Sequence, residues 1–421
     1  MIKNTILQQK AEKEQFLKQR YVPRLHLDKA IKLLDNDLIK VVAGPRRAGK
    51  SVFCFLMLKD VDFAYVNFDD EGLIESRNYE DIVSAVVEAY PKARVLYLDE
   101  VQNLPRWELF VNKLKRRNYN IVLTGSNAHL LSSELATALT GRYVALEVLP
   151  FSFAEYLRAK EISPSSSEAK GSSEAKGALL THLDAYLVSG GFPEVVVKGI
   201  DAKSYLQTLV DAILFKDVVK RYRVRYSPEI SGIFSYLATN FSGQFTFSGL
   251  RKALGLRSTA TVQKYFGYLQ DAYLVYALNR FSFKMKEQFK APKKAYFVDN
   301  GIIAAKAVQF SRDAGRLMEN AVFVELLRKG YRPNQTLFYY STRNGKEVDF
   351  ILKDGLRITG LMQVCLDPSA PATLRREVRA LSEAGKELKC ARAQVVTWDY
   401  EAIEKHNGLE VQFVPLWKWL L

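Results

Sequence analysis

Residues 44–51 read GPRRAGKS, a glycine-framed octapeptide that follows the apolar run LIKVVAG (38–44) and leads into KSVFCFLMLKD (50–60). The first run, rich in Ile and Val, predicts a buried strand, and the apolar spacing of the second predicts a helix. The chain must turn sharply between them, which residues without a Cβ allow. Successive N–H groups in such a turn point at one spot, and the helix N-terminus favours an anion there. The pattern G-x-x-x-x-G-K-[ST] thus predicts a phosphate cradle from Gly44, Pro45, Arg46, Arg47, Ala48, Gly49, Lys50, Ser51 and the next helical residue, Val52. Lys50 would reach the β and γ phosphates of a nucleotide, and Ser51 would ligate Mg2+. The expected cofactors are ATP and Mg2+.

A phosphate cradle hydrolyses nothing without a second set of groups. RVLYLDE (94–100) supplies it, an apolar strand ending in Asp99 and Glu100. Asp99 is placed to hold Mg2+, and Glu100 to orient or deprotonate an attacking water. NIVLTGS (120–126) then ends in Thr124 and Ser126, followed by Asn127. A polar group there would sense the γ-phosphate, or the stretch is ordinary turn chemistry. Arg142, in LTGRY, is a cation that would stabilise a transferring phosphoryl group from its own chain or a neighbour's, or else a plain surface residue. With FAYVNFDD (63–70), these strands alternate with helical stretches, which predicts a parallel sheet covered on both faces.

The formal net charge of +15 favours an anionic partner such as nucleic acid. Three scattered cysteines suit a reducing cytoplasm and neither a disulfide framework nor a zinc site. The first 21 residues are too charged for a signal peptide, and no apolar run approaches the ~18 residues a membrane span needs. A cytoplasmic protein without membrane contact is therefore expected. SSEAKGSSEAKG (166–177) has the composition of a flexible or weakly helical linker.

The ordered set VPRLHLDKAIKLLDNDLIKVVAGPRRAGKS, VNFDDE, LYLDEVQ, LTGSNAHLL, LTGRY and LPFSFAEYL resembles the AAA-type ATPases of bacteria and archaea that carry an uncharacterised C-terminal domain. The likeness continues through YLVSGGFPEVV, ILFKDVV, FVDNGI, GRLMENAVFVELLRKG, EVDFIL and VPLWKWLL. It implies an α/β architecture: a P-loop AAA-type domain over 1–160, a linker insertion and helical lid over 161–227, a winged-helix-like segment over 228–294, and a restriction-endonuclease-like domain over 295–421.

Within the middle segment, three helical stretches precede a basic hairpin. Ser258 or Thr259 would cap the third helix, setting Thr261, Gln263 and Lys264 near its exposed start. Arg280, Lys284, Lys286, Lys290, Lys293 and Lys294 would form a phosphate-contacting wing, or a solvated face beside protein partners. Tyr265, Phe266, Tyr268 and Tyr273 read as core rather than as base-stacking platforms.

The nuclease fold implied at the C-terminus uses a helix-borne Glu, a strand Asp and an E-x-K on the next strand, the Lys polarising water. Glu319 and Asp349 match the first two positions. Where E-x-K should stand, LMQVCLD places Gln363 and Cys365. A neutral amide is a poor ligand for a hard cation, so the expectation is a retained fold without cutting activity. The chain thus reads as an ATP-binding ATPase of slow turnover, coupling its nucleotide state to a C-terminal half that meets duplex DNA or protein partners. A nucleotide-switched scaffold and a nuclease component are the alternatives.

Overall fold

The apolar runs of the first 150 residues become five strands: β1 (Ile39–Ala43), β2 (Phe63–Asn67), β3 (Val95–Asp99), β4 (Asn120–Gly125) and β5 (Tyr143–Glu147). The structure, a computed structural model, describes residues 2–75, 78–128, 139, 141–163, 173–225, 227–307, 313–406 and 408–421. It divides into two units, residues 1–150 with 271–273, and residues 151–270 with 274–421.

In the first unit the strands lie in the order β2-β3-β4-β1-β5, all neighbours parallel. Every residue of β1 is buried, as a strand covered on both faces requires. Phe55, on the helix Lys50–Leu58, packs edge-on against Tyr97 of β3 and stacks on Phe16 of the N-terminal helix Ile2–Lys18. The strand order sets the carboxyl ends of β3, β4 and β1 side by side, so the loops leaving them converge. Strand β5, which was not singled out in the sequence, pairs with β1 on its other side.

The second unit begins with helices. The first SSEAKG copy lies outside the described residues; the second opens the helix Ser173–Ser189. At that helix's end, Asp299 accepts hydrogen bonds from the backbone N–H of Gly191 (2.7 Å) and of Gly301 (2.8 Å). A Cβ on Gly191 would stand 2.2 Å from the Phe151 carbonyl oxygen, so the GGFP turn tolerates no side chain there. The motifs SGGFP and FVDNG are two halves of one interlock.

Next come the helix Ser227–Thr239, β6 (Gln244–Phe245), the helices Phe247–Ala253 and Thr259–Asp271, then β7 (Val275–Asn279) and β8 (Lys293–Phe297). These strands pair antiparallel in the order β6-β8-β7. Of the two caps offered by the sequence, Ser258 serves, its Oγ accepting from Ala260 N at 3.2 Å. A short helix, Met285–Lys290, occupies the β7–β8 connection, with Phe283, Met285 and Phe289 exposed beside its lysines.

The last segment forms a six-stranded mixed sheet: β9 (Leu337–Ser341), β10 (Glu347–Asp354), β11 (Arg357–Cys365), β12 (Arg392–Thr397), β13 (Ala402–His406) and β14 (Leu409–Pro415), in the order β13-β14-β12-β11-β10-β9. The helix Ala314–Arg328 is buried from Leu317 to Leu327, and Pro371–Leu388 lays its apolar side on the sheet core. Among the described residues, no helix is long and apolar enough to cross a membrane.

Candidate nucleotide site

The loop after β1 closes on itself as its glycines demand. Gly44 has φ 156°, and a Cβ there would lie 2.0 Å from the Val148 carbonyl oxygen. Gly49, at φ 90°, sits immediately before the helix Lys50–Leu58 and leaves that helix's first N–H groups without a side-chain cap. Arg47 is exposed and also left-handed, at φ 66°. From below, Arg24 holds the loop: its buried guanidinium donates to the carbonyls of Ala48 (2.9 Å) and Leu149 (2.6 Å).

Around this loop several side chains meet. Lys50 is buried, donates to the Pro45 carbonyl at 3.1 Å, and stands 3.6 Å from Oε1 of Glu100. Ser51 donates to Oδ1 of Asp99 at 3.2 Å. Thr124 donates to the same oxygen and accepts from Glu100 N at 3.0 Å. Tyr65 donates to Oδ2 of Asp99 at 3.3 Å. Glu100 itself is left-handed, at φ 49°, an uncommon conformation for a residue with a Cβ and one often kept at working sites.

Burial pushes the Asp99 carboxyl above its ordinary value, and the adjacent Glu100 charge adds to this, against hydrogen bonds from Thr124 and Ser51. Burial acts on Glu100 as well. There the Lys50 ammonium, the Gln102 amide and Arg46 outweigh it and hold Glu100 below the usual carboxylate range. One carboxylate is thus poised to gain from a cation, while its neighbour stays ionised.

The residues fit a bound nucleotide and its cation. The loop keeps its tight path because a side chain at Gly44 would run into the Val148 carbonyl, and no side chain caps the helix that follows it. The Ser51 hydroxyl and the Asp99 carboxylate are hard oxygen donors of the kind Mg2+ accepts alongside phosphate oxygens. Ser126, just past β4, is buried, and its hydroxyl faces Glu100, whose charge it helps to favour. Thr124, the other polar candidate on that strand, is already occupied in locking Asp99 and Glu100 together. Arg142 falls elsewhere. Its carbonyl accepts from Ile39 N at 2.9 Å, and its exposed side chain lines a cleft with Asp37, Lys113 and Arg116 at the amino ends of the strands. The length of β1 separates it from the loop, roughly 15 Å at ~3.3 Å per residue. This placement argues against an own-chain role for Arg142 and leaves a neighbour-chain role or a plain surface residue. Sequence reasoning missed Tyr65 and Arg24, since nothing local marks a Tyr in mid-strand or an Arg before a helix as a partner of this loop.

A second cluster lies around EVDFIL. Nζ of Lys294 is 2.6 Å from Glu319 Oε1, 2.8 Å from Glu347 Oε1 and 3.0 Å from Asp349 Oδ1. Asp349 Oδ2 accepts from Val364 N at 3.0 Å, and Gln363 Oε1 accepts from Asp349 N at 3.2 Å. Tyr296 donates to Glu319 at 2.6 Å. Burial opposes the charge on Lys294, yet Asp349 and Glu319 hold its pKa well above the ordinary value. Burial and Asp349 push Glu319 up to about 8. Two expectations need correction. Lys294 is 2% exposed and makes no wing contact, and Lys293 is half-buried, donating to Asn279. A cation does stand beside these carboxylates, Lys294 of β8. Among the described residues, no group of three or more His, Cys, Asp or Glu side chains is disposed to hold a metal ion.

The AAA domain profile matches residues 36–157. Two domains of unknown function follow, DUF8612 over 180–313 and DUF4143 over 314–419. The uncharacterized protein MJ1544 of Methanocaldococcus jannaschii is 33% identical over 414 residues, covering 94% of this chain and 91% of its own. An uncharacterized protein of Haemophilus influenzae is 31% identical over 409 residues, covering 93% of this chain and 97% of its own. Among solved structures, the Walker-type ATPase PABY2304 of Pyrococcus abyssi is similar over 69% of this chain and 99% of that one, with 16% identity and a TM-score of 0.44.

Proposed function

The chain belongs to the AAA-domain family of MJ1544 and its Haemophilus relative, and from that premise we propose that it binds ATP with Mg2+ and hydrolyses it slowly, using nucleotide state to control a DNA-binding C-terminal half. The observation that carries this reading is the convergence of Lys50, Ser51, Asp99 and Glu100 on the loop closed by Gly44 and Gly49. Lys50 and the N-terminus of its helix, which no side chain caps, would hold the β and γ phosphates. Ser51 and Asp99 would hold Mg2+, whose chemistry is to neutralise charge on the phosphate oxygens. Glu100, kept ionised by Lys50, would orient water and take its proton. Of the polar residues at the end of β4 and just past it, Ser126 is the sensor candidate, because Thr124 is already committed to Asp99 and Glu100.

The order helix, short strand, two helices and an antiparallel hairpin is that of a winged helix, which supports nucleic-acid binding over a purely protein-binding scaffold. The mixed sheet with Glu319 and Asp349 supports descent from a restriction-endonuclease-like fold. Lys294 stands where a metal ion would be needed, so cutting activity is not part of the proposal.

Calorimetry tests the central reading. Lys50→Ala should lose most ATP affinity, since one charge-assisted hydrogen bond is worth about 1.5–3 kcal/mol. Equal affinity in variant and parent would refute the nucleotide site.

A further inference from the structure

Around the first turns of the helix Thr259–Asp271 is a cavity of about 370 Å³. Four cationic side chains line it: Arg223 and Arg225 from the segment before the helix Ser227–Thr239, Arg257 just ahead of the Thr259 helix, and Lys264 one turn into it. One carboxylate, Glu229, shares the lining. None of the four cations makes an ion pair among the described residues. Tyr222 and Tyr268 form one wall, their rings stacked at 3.7 Å and 9° apart, with Lys264 over the Tyr268 face at 5.9 Å. Thr261 adds a hydroxyl in the first helical turn.

Four like charges around one concavity repel each other, and a folded chain elsewhere in this protein meets its lysines with carboxylates, as at Lys294. Here that neutralisation is almost missing. The nearby helix N-terminus adds to the positive field rather than relieving it. We propose that this cavity is a seat for a nucleic-acid phosphodiester, fixing the duplex against the Thr259–Asp271 helix through Arg225, Arg257 and Lys264. The inference rests on reading the middle segment as a DNA-binding winged helix and names the phosphate contact that would set its register.

The test uses the full chain and a short fluorescent DNA duplex, with affinity measured by anisotropy at several salt concentrations. The double variant Arg225→Gln/Arg257→Gln should bind at least ~10-fold more weakly and flatten the slope of log affinity against log salt by about 0.9, the value for one lost phosphate contact. Arg257→Lys, which keeps the charge, should retain most of the slope. Should the double variant fold poorly, the parent alone decides: bound duplex should protect Lys264 from an amine-reactive acetylating reagent. Loss of affinity on neutralising Lys284, Lys286 and Lys290 of the β7–β8 connection, with the cavity variant unchanged and Lys264 unprotected, would overturn the seat and keep the winged-helix reading. No duplex binding by the parent would overturn both.

Discussion

Nζ of Lys294, on β8, donates at 3.0 Å to Oδ1 of Asp349 in EVDFIL, 55 positions further along the chain. The ammonium sits within ion-pair distance of three carboxylates, Glu319, Glu347 and Asp349. Removing one member of a buried ion pair strands the others, which typically costs about 3–5 kcal/mol. Lys294→Met should destabilise the protein by that order. Adding Asp349→Asn should recover part of the loss, because one uncompensated charge is then gone. Chemical denaturation of both singles and the double gives the coupling, and strict additivity would show that the pair does not interact.

The same arrangement predicts that the C-terminal domain does not cleave DNA in Mg2+ or Mn2+, with or without ATP. Asp349→Ala is the control for contaminating nuclease. Cleavage by the parent that vanishes in this variant would make the Lys294 cluster a working centre.

Glu100→Gln should bind ATP almost as the parent does and hydrolyse it ~10²-fold more slowly, the usual contribution of a general base. The amide keeps the size of the side chain but takes no proton. Single-turnover hydrolysis at saturating protein is the measurement, and an unchanged rate would remove Glu100 from the role.

Asp299 carries a pH signature. Its burial pushes the carboxyl up from 3.8 to about 6, despite hydrogen bonds from Gly191 and Gly301. A group with a raised folded pKa binds its proton more tightly in the folded state. Its contribution is fully present below the unfolded value, near pH 3.8, and is lost as pH rises through about 6. Stability of the second unit should therefore carry a component that falls over that window, by up to roughly 3 kcal/mol at 1.36 kcal/mol per pKa unit. Asp299→Asn should remove this component from urea denaturation measured at pH 4, 5, 6 and 7; the same pH dependence in variant and parent would place the titration elsewhere.

What the sequence alone determined about this protein is what neighbouring residues enforce. The turn after β1 was legible because Gly44 and Gly49 are needed by local backbone geometry, and the helix after it because apolar spacing has its own period. Asp99 and Glu100 were legible as the end of a strand. Tertiary structure decided everything that depends on which strand lies beside which. The order β3-β4-β1 brings Thr124 to Asp99 and, through β5, carries Arg142 to the far end of the sheet. Lys293 and Lys294 look alike in sequence, yet one remains half-exposed while the other is buried among carboxylates from a helix and another strand. Adjacent strand residues point to opposite faces, so one position along β8 separates a lysine near solvent from one that neutralises a core. Charge pairing between groups distant in sequence is set by distance in space, and only the folded chain fixes that distance.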